Sequence, residues 1–164
     1  MRVLLDTNVV LDLLLDRAPH AVAAARIFSL IERNVLDGCL CATTVTTIHY
    51  LATKTVGRGA SHEQIKMLLR LFSVAPVNRQ VLELAIEDGG FTDFEDAVLH
   101  EAARHDLADA LVTRNESDFL KAQLPVYSPA EFLEMIGAHQ HDGRTETDRA
   151  DADVEDGLPG APAP

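Results

Sequence analysis

Residues 2–10 read RVLLDTNVV, and the fold turns on how that run is read. Val3, Leu4 and Leu5 have the unbroken apolar character of a strand covered on both faces, as in a parallel sheet packed between helices. Asp6 stops the run and Asn8 follows two residues later. A carboxylate at the end of a buried strand costs desolvation energy unless a partner or ligand meets it there. The rest of the chain must therefore say what gathers around Asp6.

Outward from Asp6, short β-rich runs alternate with helical patterns. Ala23, Ile27, Leu30 and Ile31 recur at helical spacing, and GCLCA at 38–42 predicts a second strand. Val45, Ile48 and Ala52 share one face of a helix starting near Thr44. Ile65, Leu68, Leu69 and Phe72 mark another, with Ser61 and Glu63 near its start. FSVAPV (72–77) predicts the third strand, Val81, Leu84 and Ala85 the next helix, and FEDAVLHEAARHD (94–106) a further one. ADALVT (108–113) and LPVYS (124–128) supply strands four and five, and PAEFLEMI (129–136) a last helix with Pro129 suited to its first turn. This alternation predicts an α/β fold around a central, mainly parallel sheet of about five strands.

With 164 residues, 47% of them hydrophobic, the chain is long enough for one domain with a sizeable core. The apolar stretch from Val9 to Leu15 is broken by Asp12 and is too short to span a membrane, so a cytoplasmic protein is expected. Cys39 and Cys41, two apart in a strand, share a face and are expected as reduced thiols. The net charge is −12; residues 137–164 hold seven acids against two arginines, a net −5, which leaves −7 for residues 1–136. That acidic segment, with three prolines, four glycines and almost no large apolar residue, is expected to be a disordered tail on a domain spanning 1–136. Its HQHD at 139–142 reads as solvated histidines rather than a metal site.

Parallel sheets of this kind bind ligands at the carboxyl ends of their strands. Asp6 follows strand one, Thr43 and Thr44 strand two, and Asn115 and Asp118 strand four. Asp93 and Asp96, three apart at the start of the helix from residue 94, share a face. Asp93 reads equally well as that helix's N-cap. Carboxylates brought to one point repel one another unless a cation neutralises them, and oxygen donors suit Mg²⁺ or Mn²⁺. Such an ion positions water and stabilises charge on a phosphate, which points to phosphodiester hydrolysis.

LLDTNVVLDLL (4–14) and FTDFEDAVLHEAARHDLADALVTRNESDF (91–119) together resemble the PIN-domain superfamily, and within it the single-domain VapC-type toxin ribonucleases. The resemblance covers roughly residues 1–134. It implies an α/β/α sandwich, often dimeric, that cuts RNA with Mg²⁺ or Mn²⁺ and pairs with an antitoxin protein. By position, Asp6, Asp96 and Asp118 match the metal-binding acids, Asn115 belongs to the polar cluster after strand four, and Asn8 matches the amide that orients the first acid.

The chain departs from that pattern on the helix after strand two, where the toxins carry a further acid. Thr47 stands at the aligned position, and no Asp or Glu lies between Asp37 and Glu63. Either Asp93 substitutes, or Thr47 with a neighbouring hydroxyl acts through a water, or the site is weakened; His49 is a further candidate in a different register. His100, one turn after Asp96, is a candidate partner for that acid or one half of a surface pair, and Arg114 either contacts a phosphate or is solvated. A receiver-type signalling domain is excluded by SVAPVN and PVYSP, which lack its acceptor Asp and its Lys, and a haloacid-dehalogenase-type enzyme by the amide in DTN. The function expected is a metal-dependent endoribonuclease, the toxin of a type II toxin–antitoxin pair. Its rival is a PIN-like module that has lost cleavage and serves as an RNA-binding or protein-interaction subunit.

Overall fold

The computed structural model describes residues 1–138; the acidic segment from 139, with its HQHD, lies outside the described residues. Five strands, β1 (Arg2–Leu5), β2 (Asp37–Cys41), β3 (Ser73–Ala75), β4 (Ala110–Val112) and β5 (Val126–Tyr127), form one sheet in the order β3-β2-β1-β4-β5. Every pairing is parallel, as expected from the alternating pattern. Helices α1 (Thr7–Leu14), α2 (Ala21–Glu32), α3 (Ala42–Val56), α4 (Arg58–Leu71), α5 (Arg79–Glu87) and α6 (Phe94–His105) connect the strands. A short 3-10 helix (Glu116–Phe119) follows β4, and a last helix, α7, begins at residue 129.

Side chains of a strand alternate between its faces, and β1 shows how this builds two cores. Val3 and Leu5 join Val9, Ile27, Ile48, Leu68 and Phe132 on one side of the sheet; Leu4 joins Val81, Val98, Leu99 and Leu111 on the other. Leu40 enters the first core, while Cys39 and Cys41 enter the second as free, buried thiols. Burial pushes the Cys39 thiol up to about 12, so it stays protonated. Gly38 fits where β2 crosses the ring of Phe72 because an added Cβ would lie 2.8 Å from that ring and 2.7 Å from Ile31 Cδ1.

Two local readings need adjustment. Residues 7–14 form a helix, although Val9, Val10, Leu11, Leu13 and Leu14 are too dense in apolar groups for periodicity to select one. α4 starts at Arg58, three residues before Ser61, whose buried hydroxyl donates to the His49 carbonyl at 3.1 Å. Pro129 stands in the first turn of α7, where Ser128 and Glu131 form a reciprocal cap: the Glu131 amide donates to Ser128 Oγ and the Ser128 amide to Glu131 Oε2. Among the described residues no helix is long and apolar enough to cross a membrane.

Candidate active site

From β1 the chain steps outward to β2 and β3, then returns to β4 on the other flank, so the carboxyl ends of β1 and β4 bracket the point where strand order reverses. A crevice opens at such a point. Asp6 leaves β1 there and Thr113 leaves β4. Asp6 is 9% exposed, and its Oδ2 accepts from Asn8 Nδ2 at 2.6 Å and from Thr113 Oγ1 at 2.7 Å. Asn8 Oδ1 accepts in turn from the Arg114 amide, and Thr113 Oγ1 from the Asn115 amide. Asn8 is thus bonded at once to the acid and to the chain after β4. Thr113 does the same and was not foreseen; its only signal was a hydroxyl directly after an apolar strand.

The crevice, about 280 Å³, is lined by Asp6, Asn8, Arg17, Thr43, Thr44, Thr47, Glu95, Asp96 and Asn115 among others. An adjoining cleft of about 430 Å³ is lined by Asp93, Asp96, Ser117, Asp118 and Lys121 among others. Asp96, in the first turn of α6, is the wall common to both. Burial first, and then Asp6, Asp93, Asp118 and Glu95, push its carboxyl up to about 6. Burial also raises Asp6, against the pull of the Thr113 hydroxyl. Asp93 caps α6, its Oδ1 accepting from the Glu95 amide at 2.8 Å, which commits one of its oxygens to the helix. The titratable groups facing the two clefts are carboxylates, Arg17 and Lys121, an oxygen-donor set that fits a hard divalent cation and offers no imidazole or thiol.

Three candidates stand elsewhere. Arg114 lines neither cleft: its Nε lies 3.0 Å from Oδ2 of the fully buried Asp12, an ion contact without hydrogen-bond alignment, while its side chain stays 30% exposed. His49 packs edge-on against His62, away from the crevice. His100 is fully buried rather than half of a surface pair, and its ring nitrogens meet Gln123 and Glu101. Its Nε2 accepts from the Gln123 amide at 3.0 Å, its Nδ1 faces Glu101 Oε1 at 3.1 Å, and its ring stacks on Phe91.

His100, Glu101 and Asp88 bring one potential ligand atom each within 4.8 Å of one another. The tautomer argues against a metal there. Because Nε2 accepts from a backbone N–H, the neutral ring carries its proton on Nδ1, the atom that faces the group. Arg104 Nη1 already occupies both Glu101 oxygens, and Asp88 Oδ1 accepts from the Gly90 amide. The group instead fixes the segment after the 3-10 helix to α6.

A family model of the PIN domain matches residues 2–117. No curated protein gives a significant match. Among solved structures the chain is similar to VapBC2 of Rickettsia felis bound to a promoter DNA fragment, at 15% identity and a TM-score of 0.62 over 78% of this chain and 98% of that one. It is similar to a toxin–antitoxin complex of Klebsiella pneumoniae at 21% identity and 0.61, over 77% and 97%. It is also similar to VapC20 of Mycobacterium tuberculosis, a sarcin–ricin loop cleaving toxin, at 15% and 0.55, over 66% and 86%. At such identities the structures establish a shared fold, and the family match, which spans most of the chain, makes this protein a member of the PIN domain family.

Proposed function

We propose that the protein is an endoribonuclease dependent on Mg²⁺ or Mn²⁺. The observation that carries the proposal is the meeting of Asp6 and Asp96, ninety residues apart, in one crevice at the sheet's switch point. Asp6, Asp96 and Asp118 would hold the cation, which when bound supplies charge stabilisation to the phosphate undergoing displacement. Asn8, in the first turn of α1, and Thr113, directly after β4, hold the Asp6 carboxylate in one orientation, which preorganises the centre. An RNA strand laid across both clefts meets Arg17 in one and Lys121 in the other, two cations that offset an otherwise acidic lining.

One of the similar structures is a toxin–antitoxin complex, which supports reading the protein as a toxin with a protein antitoxin; a cytoplasmic location and a homodimer belong to the same proposal and rest on the family resemblance. The rival, a module without cleavage, rests on Thr47 in place of an acid.

The chemistry can be tested through its products. Hydrolysis bonds a water oxygen to phosphorus and breaks one P–O ester bond, so the fragments carry a monophosphate end and a free hydroxyl end. Attack by the ribose 2′-hydroxyl, which needs no metal, leaves a 2′,3′-cyclic phosphate. Monophosphate ends formed only with Mn²⁺ or Mg²⁺ are expected; cyclic ends, or cleavage that persists in a chelator, would overturn the proposal.

A further inference from the structure

Although α3 brings no acid to the crevice, an acid stands where α3 faces it. Thr47 Oγ1, from α3, donates to Glu95 Oε1 at 3.3 Å across a gap of 48 residues in sequence, and both side chains line the crevice with Asp6 and Asp96. Neighbouring residues on a helix do not ordinarily face the same way. Here Glu95 and Asp96 do enter one crevice, because α6 begins at its mouth and the Thr47 hydroxyl draws Glu95 across. A first-turn acid that served only the helix macrodipole would need nothing from α3.

We propose that Glu95, positioned by Thr47, is the fourth carboxylate of the metal centre and takes the place of the acid that related toxins carry on the helix after strand two. This rests on the metal-dependent reading above. It replaces the three alternatives of Asp93, a water held by Thr47 and a weakened site: Asp93 caps α6 and lines only the adjoining cleft, whereas Glu95 lines the crevice together with Asp6 and Asp96. It also fixes what Thr47→Glu should do in each background. Placed beside Glu95, a new carboxylate repels it in the metal-free protein; placed beside Glu95→Gln, it restores the lost charge from α3.

The test is calorimetric titration of metal-stripped full-length protein with Mn²⁺, with no RNA present, on wild type, Glu95→Gln, Asp6→Asn and the double variant Glu95→Gln/Thr47→Glu. Melting temperatures confirm that each is folded, and Glu95 is exposed enough for its replacement to be tolerated. Loss of a group acting at a metal centre typically weakens affinity about 10- to 100-fold, and Glu95→Gln is expected to fall in that range, with the double variant recovering toward wild type. Wild-type Mn²⁺ affinity in Glu95→Gln overturns the inference. If Asp6→Asn is weakened in that case, the metal-dependent reading stands without Glu95; if Asp6→Asn also binds like wild type, both fall together.

Discussion

Replacing Arg114 with Met should destabilise the fold by stranding a buried charge. Asp12 is fully buried in α1, neither of its carboxylate oxygens takes a hydrogen bond among the described residues, and the charge facing it is the Arg114 guanidinium at 3.0 Å. Removing one partner of a dry ion pair costs roughly 3–5 kcal/mol, because the other is left uncompensated. The Arg114 side chain is 30% exposed, so water already screens part of the attraction; the expected loss is about 2–3 kcal/mol. For a domain of this size that lowers Tm by roughly 4–12 °C. Met retains the apolar stem, and the Arg114 amide that holds Asn8 is backbone, so the loss reports the charge. Urea unfolding followed by circular dichroism measures it, and adding Asp12→Asn should recover at least half, since the stranded charge is then gone. A loss below about 0.5 kcal/mol in the single variant, or no recovery in the double, would refute the reasoning.

Gly38→Ala should cost about 1–3 kcal/mol, read as a drop in Tm, because the new methyl meets Phe72 and Ile31 at under 3 Å in a packed core; an unchanged Tm would show that the ring moves freely. His100 has its pKa lowered, chiefly by burial and against the pull of Glu101, with Arg104 and Asp88 also near. The unfolded chain therefore takes up a proton below pH 6.5 that the folded state resists, so this residue's contribution to stability falls on acidification. Asp96, pushed up to about 6, works in the opposite direction, so the difference between wild type and His100→Gln is the readout. Wild type should lose stability relative to the variant as pH falls from 7.5 toward 5, and parallel curves would contradict the burial argument.

The strand that ends at Asp6 and the acids opening α6 were legible because each sits at a change of pattern: an apolar run stops, or a helical period starts, on a carboxylate. Strand positions followed from the same alternation, whereas the role given to Asn8 came from the family resemblance. What the sequence concealed depends on which faces meet. Asp12 reads as an interruption in an apolar run, and only packing of α1 beside the loop after β4 gives it Arg114. Thr47 reads as a missing acid until α6 brings Glu95 to it, and His100 reads as a partner of Asp96 or half of a surface pair until the Gln123 amide meets it in the interior. α1 itself was hidden by its shortness, since eight residues with Asp12 buried among apolar neighbours are too few to fix a period.

The central claim is that Asp6 anchors a metal centre that hydrolyses RNA. Its most direct test compares wild type with Asp6→Asn, prepared identically, for cleavage of end-labelled single-stranded RNA across a Mn²⁺ titration. Cleavage that rises with Mn²⁺ in wild type and is absent at every concentration in folded Asp6→Asn is the predicted result; equal cleavage by the two proteins, or none by wild type at any concentration, would contradict it.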